Sequence, residues 1–271
     1  MVKWALLAPA LILCAVFLLW PLAEVGRLST VKTNYITTEF VGLRNYARMF
    51  TDEAFLRSML NSVFYILLIV LLGPGGSLLL TLAVMDLPKR MQGVSRFVFY
   101  IPLLGAGMIV AQIWAWIFHI NGPVNWLIGQ EVWWFGQAVT AIPAICIIVA
   151  SVSIGAQMIV LLAMTSSISP ELFDAAKIDG ARPWQIKFRI VVPLIAPMIA
   201  VQVLMAVING PQVIEFIIAL APYDYSATMA YNIYHEAFIM SRFGPAAAKA
   251  MVLLVILGTM AWAKTRIGRE T

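Results

Sequence analysis

The sequence has 271 residues, of which 62% are apolar and only 11% are charged, and its mean hydropathy is +0.91. Soluble domains are about half apolar and about 25% charged, so a soluble fold of this size could not hide so much apolar surface. The composition excludes a soluble enzyme, a disordered chain and a nucleic-acid-binding module. It leaves room for roughly five to seven membrane-spanning helices. The net charge of +5 then reflects membrane orientation and requires no anionic substrate.

Six apolar segments are long enough to cross a membrane. We therefore predict an all-α, polytopic membrane protein with about six transmembrane helices. Several prolines lie inside or near the ends of these segments, where they predict kinks that neighbouring helices can tolerate. The segments are about Trp4–Val25, Met59–Met85, Phe97–Phe118, Val139–Met164, Pro193–Ile208, after which apolar residues continue past Pro211 towards Leu220, and Pro245–Ala263.

The basic residues predict the orientation, because cytoplasmic loops of membrane proteins are enriched in lysine and arginine. With six spans, both termini lie on one side. The segments on that side hold eleven basic residues and the opposite side holds six, so both termini are predicted to be cytoplasmic. The eleven are Lys3, Lys89, Arg90, Arg96, Lys177, Arg182, Lys187, Arg189, Lys264, Arg266 and Arg269, and the six are Arg27, Lys32, Arg44, Arg48, Arg57 and Arg242.

The first outer loop, at about 26–58, mixes aromatic and charged residues. Its pattern predicts a turn followed by a short amphipathic helix. Two interpretations remain open. The loop is either a structural cap over the helix ends or a docking surface for an external partner.

The inner loop at about 166–192 begins with residues that are typical of the N-terminus of a helix. Ser169 is suited to the cap position, Pro170 to the first helical position, and Glu171 to the positive end of the helix dipole. Asp179-Gly180 predicts the end of this helix, because glycine readily adopts the left-handed conformation.

A second helix is predicted to open at Pro183 and to continue into the fifth span. Trp184, Phe188 and Val191 recur at helical spacing and are expected to share one face. The helix pair is too polar to insert into the bilayer and too ordered for a linker. It is either an interfacial helix on lipid headgroups or a rigid protrusion that docks on a cytosolic partner.

This loop resembles the signature loop of permeases of binding-protein-dependent ABC importers, the EAA loop. That pattern is Glu-Ala-Ala, three residues, Gly, nine residues, then Ile-x-Leu-Pro. Here Asp174-Ala175-Ala176 is followed after three residues by Gly180, and after nine more by Ile190-Val191-Val192-Pro193. The spacing matches throughout, with Asp174 in place of the glutamate and Val192 in place of the leucine.

The resemblance covers nearly the whole chain and is strongest to the carbohydrate branch, which includes maltose and glycerol-phosphate permeases. Residues 40–46 resemble the first outer loop of that branch, 122–127 its turn after the third span, and 178–181 a typical part of its signature loop. The stretch 220–225 departs from the Thr-Gly-Gly-Pro pattern common there, so contacts assigned to that pattern are not carried over.

The resemblance implies a non-enzymatic transport subunit, in one permease domain over residues 1–271, in a prokaryotic inner membrane. It implies a second homologous permease, two ATPase subunits, an external solute-binding protein and membrane lipid as partners, and no nucleic acid. The chain has no phosphate-binding Gly-x-x-x-x-Gly-Lys-Ser/Thr motif, so ATP and Mg²⁺ are expected in the ATPase and no cofactor is expected here. The residues expected to contact the ATPase are Glu171, Asp174, Ala175, Ala176, Asp179 and Gly180.

A solute pathway through the membrane needs polar side chains, which are costly against lipid. Helix–helix hydrogen bonds and interfacial aromatic belts are the ordinary alternatives for such residues, and Lys249, a charge in the sixth span, could instead extend to the outer interface. The polar candidates are Gln112, Gln157, Gln202, Asn209 and Glu215, and the aromatic residues that could stack on a sugar are Trp114, Trp116 and Tyr231.

Other functions remain as alternatives. The permease could carry a non-sugar solute. An integral-membrane enzyme would need converging titratable residues, and no cluster in the sequence has metal-ligand spacing. The pair His235-Glu236 is expected to be a solvated loop feature. A scaffold without a transport path is the remaining alternative. No catalytic or metal-binding residue is predicted.

Overall fold

The computed structural model describes residues 2–33, 38–105 and 107–267, and these residues are mainly helical. Arg269, counted above on the inner side, lies outside the described residues. The helices are α1 Val2–Cys14, α2 Trp20–Leu28, α3 Arg44–Met49, α4 Glu53–Val70, α5 Gly76–Val84, α6 Lys89–Leu104, α7 Gly107–Ile117, α8 Pro123–Ile128, α9 Ala138–Ser166, α10 Pro170–Ile178, α11 Pro183–Ile186, α12 Val192–Asn209, α13 Glu215–Leu220, α14 Met229–Tyr234 and α15 Phe243–Ile267. Two strands, β1 Val31–Thr33 and β2 Thr38–Phe40, form an antiparallel hairpin.

Short turns of other helical types join several of these helices into longer rods. A 3₁₀ turn at Gly210–Gln212 extends α12. In the described part of the chain, four π-helical turns widen the backbone by one residue per turn. They are Ala15–Leu19, Leu71–Gly75, Lys187–Val191 and His235–Ile239.

Five helical stretches in the described part of the chain are long and apolar enough to cross a membrane. A sixth is obtained if the bent pair α6 and α7 counts as one span. This confirms an all-α, polytopic fold with about six spans. The five stretches are Leu7–Leu28, Glu53–Val84, Ala138–Ser166, Pro183–Gln212 and Phe243–Trp262.

The third predicted span, Phe97–Phe118, is divided between α6 and α7, which meet at 103°. Proline inside a helix lacks the amide hydrogen that continues the ladder. Pro102 lies in the last turn of α6, and Gly105 follows it with an extended backbone. The sequence predicted a kink at this proline but not a sharp corner.

The chain divides into two compact units, one formed by 1–60 with 227–271 and the other by 61–226. The expectation of one permease domain is not decided by this division and stays a prediction. In the first unit α15 packs against α2, α3 and α14. The core between them contains Met49, Phe55, Met229 and Leu253.

The outer loop of the first unit contains the β hairpin, which the sequence pattern did not predict. The predicted short helix is present as α3. Asn45, which is buried in α3, donates from Nδ2 to the carbonyl oxygens of Ser29 and Val31, both at 2.9 Å. Gly244 at the start of α15 lies against the Val31 carbonyl so closely that a β-carbon would overlap it. These contacts hold the hairpin, α3 and α15 together.

In the second unit α9 is the central helix and packs against α5, α6 and α12. The crossing of α6 and α9 is close because Gly155 has no side chain. A β-carbon there would overlap the Phe99 carbonyl group. Small residues allow such close approach of helices in membranes.

Candidate functional site

The inner loop folds as the sequence predicted. Helix α10 begins at Pro170, ends at Ile178, and is followed by a turn in which Gly180 has φ +77°. Only a residue without a β-carbon adopts that conformation at no steric cost. The Ser169 side chain makes no capping hydrogen bond, although the residue occupies the cap position. The second helix opens at Pro183 with the Gln185 side chain accepting from the Arg182 amide at 2.7 Å.

Most residues of the predicted ATPase contact lie on the surface of this loop. Glu171, Asp174, Ala175, Asp179 and Gly180 are exposed, whereas Ala176 is buried within the loop. Asp174 pairs with Lys177 at 3.0 Å, but both side chains are about two-thirds exposed, and such pairs contribute little to stability.

One large apolar side chain on this loop is exposed to an unusual degree. Ile178 is 86% exposed at the C-terminal end of α10. A single exposed isoleucine is ordinary on a membrane-facing surface, but here it is flanked by charged residues and a glycine turn. No pattern in the sequence indicated a role for this residue.

The loop is attached to three membrane helices through Phe173. This side chain packs against a buried cluster made of Leu82 in α5, Leu161 in α9, and Val191 and Ile195 at the start of the fifth span. Lys187 adds an ion pair to Asp86 at 2.5 Å. Phe173 therefore packs where side chains of three membrane helices meet. Phe173 was not a predicted site residue, and its only sequence signal is that it is aromatic in a short polar helix.

The prediction that Trp184, Phe188 and Val191 share one helix face is wrong. Val191 is fully buried, whereas Trp184 and Phe188 are half exposed. The reason is the π-helical turn Lys187–Val191, which inserts an extra residue and rotates the face away from ordinary helical spacing.

Two of the predicted pathway residues lie together inside the second unit. Gln202 is buried, accepts from the Ser77 hydroxyl at 3.1 Å, and donates to the Gln157 carbonyl at 2.9 Å. It therefore joins α5, α9 and α12. The Gln157 side-chain oxygen is buried and has no hydrogen-bond partner among the described residues. Its amide group lies beside Gly73, in the π turn Leu71–Gly75.

The remaining pathway candidates are separate from this cluster. Gln112 and Asn209 are exposed, and the Glu215 carboxylate lies over Gly107, where α13 packs against α7. In the described ranges no hydrogen bond connects these three to Gln157 or Gln202. The aromatic candidates differ as well. Trp114 stacks on Phe118 at 5.4 Å between ring centroids, Trp116 is exposed, and Tyr231 is buried in the first unit.

Lys249 does not extend to the outer interface. It is 1% exposed and is enclosed by acidic and amide groups of the first unit. Its ammonium group contacts Glu236, pairs with Asp52 at 2.6 Å, and donates to Asn232 at 3.0 Å. The Phe55 ring lies 5.2 Å from the same nitrogen. A buried charge requires such partners, and this group of residues is called the Lys249 cluster below.

The expectation that Glu236 is solvated is also wrong, because it is 8% exposed and belongs to the Lys249 cluster. Asp52 has a second role, since its other oxygen accepts from the Ala54 and Phe55 amides and caps α4. Burial disfavours the Asp52 carboxylate, but Lys249 and these amides outweigh burial and hold its pKa below the usual range.

Comparison with known proteins gives the context for these sites. Residues 75–269 match the family described as "Binding-protein-dependent transport system inner membrane component". The sn-glycerol-3-phosphate transport system permease protein UgpA of Agrobacterium fabrum is 26% identical over 264 residues, which cover 94% of this chain and 90% of that protein. The probable starch degradation products transport system permease protein AmyD of Thermoanaerobacterium thermosulfurigenes is 28% identical over 269 residues, covering 95% and 90%.

A solved structure has the same fold. A chain of a bacterial alginate ABC transporter, in complex with an alginate pentasaccharide-bound periplasmic protein, superposes with a TM-score of 0.84 and 26% identity. The match covers 98% of this chain and 94% of that chain. The family match covers most of the chain, and the chain has several helices that are apolar enough to cross a membrane. The protein is therefore a multi-pass transport subunit of the inner membrane. The chain belongs to the family of inner membrane components of binding-protein-dependent transport systems.

Proposed function

We propose that this chain is the permease subunit of an ATP-driven importer for a carbohydrate, and that ATP is hydrolysed on separate subunits that dock on α10. The observation that carries the proposal is the construction of the inner loop. A short exposed helix ends in a left-handed Gly180, and Phe173 attaches it to the cores of three spans. An exposed element with such internal anchorage is suited to transmit force from a partner.

The mechanism is alternating access. ATP binding closes a dimer of two ATPase subunits, each of which holds ATP and Mg²⁺. The surface formed by Glu171, Asp174, Asp179 and Gly180 follows this closure, and α10 carries the inner ends of α5, α9 and α12 with it. A second, homologous permease lines the other half of the pathway, and an external solute-binding protein delivers the solute. Both termini and the 166–192 loop lie in the cytoplasm in this scheme, as the basic residues predict.

The Gln157 side chain supports a pathway for a hydroxylated solute. A buried carbonyl oxygen without a donor is costly by about 1–3 kcal/mol. In the proposed cycle a solute hydroxyl group supplies that donor when the spans move apart. Gln202 acts as a connector of helices, since its side chain is already bonded on both sides. The proposed lining also includes Gln112, Asn209 and Glu215. A non-sugar solute with hydroxyl or amide donors is the second candidate.

Co-purification and reconstitution test the proposed function. An affinity-tagged permease expressed with its neighbouring genes is expected to bring down an ATPase subunit. The complex in proteoliposomes is expected to accumulate sugar only with ATP and the binding protein. Purification of the permease without an ATPase would support a scaffold instead, and turnover of a substrate by the isolated chain would support an enzyme.

Replacement of pathway residues is expected to change transport without changing assembly. Gln157→Ala and Asn209→Ala should each weaken apparent solute affinity about three- to tenfold, because each removes one hydrogen bond worth about 0.5–1.5 kcal/mol. Initial uptake rates over a range of solute concentrations in vesicles give the affinity. Ser151→Ala is the control on α9, since its hydroxyl is bonded to its own helix at Ile148. Unchanged kinetics in both test variants would show that the lining is misassigned.

A further inference from the structure

We infer that a charged cavity in the unit formed by 1–60 and 227–271 receives an acidic side chain of the external solute-binding protein. This inference rests on the proposed function, which puts the first outer loop outside the cytoplasm. The cavity has a volume of about 680 Å³ and is lined by the hairpin, α3 and the start of α15. Its charged lining residues are Lys32, Glu39, Arg48, Asp52, Glu236, Arg242 and Lys249.

The floor of the cavity is the Lys249 cluster. The buried ammonium group of Lys249 engages both Asp52 and Glu236, and Asn232 accepts its third hydrogen bond. The two carboxylates are therefore held towards the interior of the unit. They share this one ammonium group, so the floor keeps one net negative charge, and the three cations at the mouth exceed that charge and Glu39 together by one.

The mouth carries an excess of positive charge. Arg242 is 65% exposed and only 4.0 Å from Glu236, which is the limit of an ion pair. In the described ranges Lys32 and Arg48 form no ion pair, although Lys32 stands opposite Glu39 in the hairpin register. The lining has four cations and three carboxylates, so one added carboxylate makes it neutral. An incoming acidic side chain therefore meets charge complementarity.

The walls of the cavity are held in place before any partner arrives. Asn45 ties α3 to the hairpin, and Gly244 packs against the Val31 carbonyl. Ser241 lines the cavity with φ +55°, a left-handed conformation that is uncommon for a residue other than glycine. Such a conformation persists only where the surrounding structure holds it. A site that is already ordered loses less conformational entropy on binding.

The surroundings of the cavity favour a protein as the occupant. Phe40, Leu43 and Phe50 on the same outer loop are each more than 60% exposed. Aromatic side chains and arginine are enriched in protein–protein interfaces and are common among the residues that contribute most to binding. An anionic lipid and an anionic solute share the charge of an acidic side chain, so the experiment must separate them.

Charge reversal at the mouth of the cavity tests the inference. The complete importer in nanodiscs of zwitterionic phosphatidylcholine is titrated with its own solute-binding protein. We expect Arg48→Glu with Arg242→Glu to weaken binding at least tenfold and to reduce its dependence on salt concentration. The control is Arg44→Glu with Arg57→Glu, which changes the net charge equally at two exposed positions outside the cavity. We expect the control to change binding less than threefold.

The other outcomes overturn the inference. Equal losses in both double variants would mean that only overall surface charge attracts the binding protein. Unchanged binding would mean that the cavity is not a docking site. A loss of binding that occurs only in nanodiscs with phosphatidylglycerol would assign the cavity to lipid. A loss that occurs only with solute-loaded binding protein, and that excess free solute abolishes, would assign the cavity to the solute. A circular dichroism melt of each variant complex checks folding, and replacement of acidic residues of the binding protein by arginine should restore binding to the test variant. Co-purification of the ATPase with the unaltered permease tests the proposed function independently.

Discussion

Gly180→Trp is expected to lower ATP-driven transport at least tenfold while the permease remains folded. Gly180 is exposed in a left-handed turn, and no atom lies within 4 Å of a β-carbon placed there. The β-carbon of the new side chain therefore meets no described atom, and the indole adds bulk at the exposed surface proposed for the ATPase. The left-handed conformation adds a cost of about 1–2 kcal/mol for a residue other than glycine. Transport in proteoliposomes and retention of the ATPase on the tagged permease measure the effect.

Gly180→Asn is the matched control, because asparagine tolerates the left-handed conformation and is small. It should retain most of the transport. If the tryptophan variant assembles and transports normally, α10 is not the docking helix. If Gly180→Asn lowers transport to the same degree as Gly180→Trp, the turn matters only for folding of the loop.

Lys249→Met is expected to destabilise the permease by about 3–5 kcal/mol, the range observed when one partner of a buried ion pair is removed. Methionine fills a similar volume, so the loss comes mainly from the carboxylates of Asp52 and Glu236, which are left without their cation. The effect is measured as a lower midpoint of thermal unfolding of the purified importer in detergent. Unfolding is monitored as the loss of native, monodisperse protein.

Neutral substitution of the partners is the control for this variant. Lys249→Met combined with Asp52→Asn and Glu236→Gln should be more stable than Lys249→Met alone, because no buried charge is left unpaired. A triple variant less stable than the single one would contradict this account. In the unaltered protein the pKa of Asp52 is lowered, so its contribution is present above about pH 4 and is lost as the pH falls through the folded-state value.

The sequence by itself determined the membrane class, the spans and the inner loop. These features depend on residues that are close together in the sequence. A run of about 20 apolar residues has to lie in lipid, and Pro170 and Gly180 set the ends of α10 whatever surrounds them. The spacing from Asp174 to Pro193 was sufficient to identify the family, which the match over residues 75–269 confirms.

Features that depend on contacts between distant residues were decided only by the tertiary structure. Lys249 and Asp52 are 197 positions apart, and their pairing turns an expected interfacial lysine into a buried one. Phe173 became an anchor only because three spans meet beneath it. The π turn at Lys187–Val191 rotated a predicted face, because one extra residue in a helical turn leaves no clear mark in composition or periodicity. Local patterns set where each helix begins and ends, whereas burial and charge pairing follow from which helices come into contact.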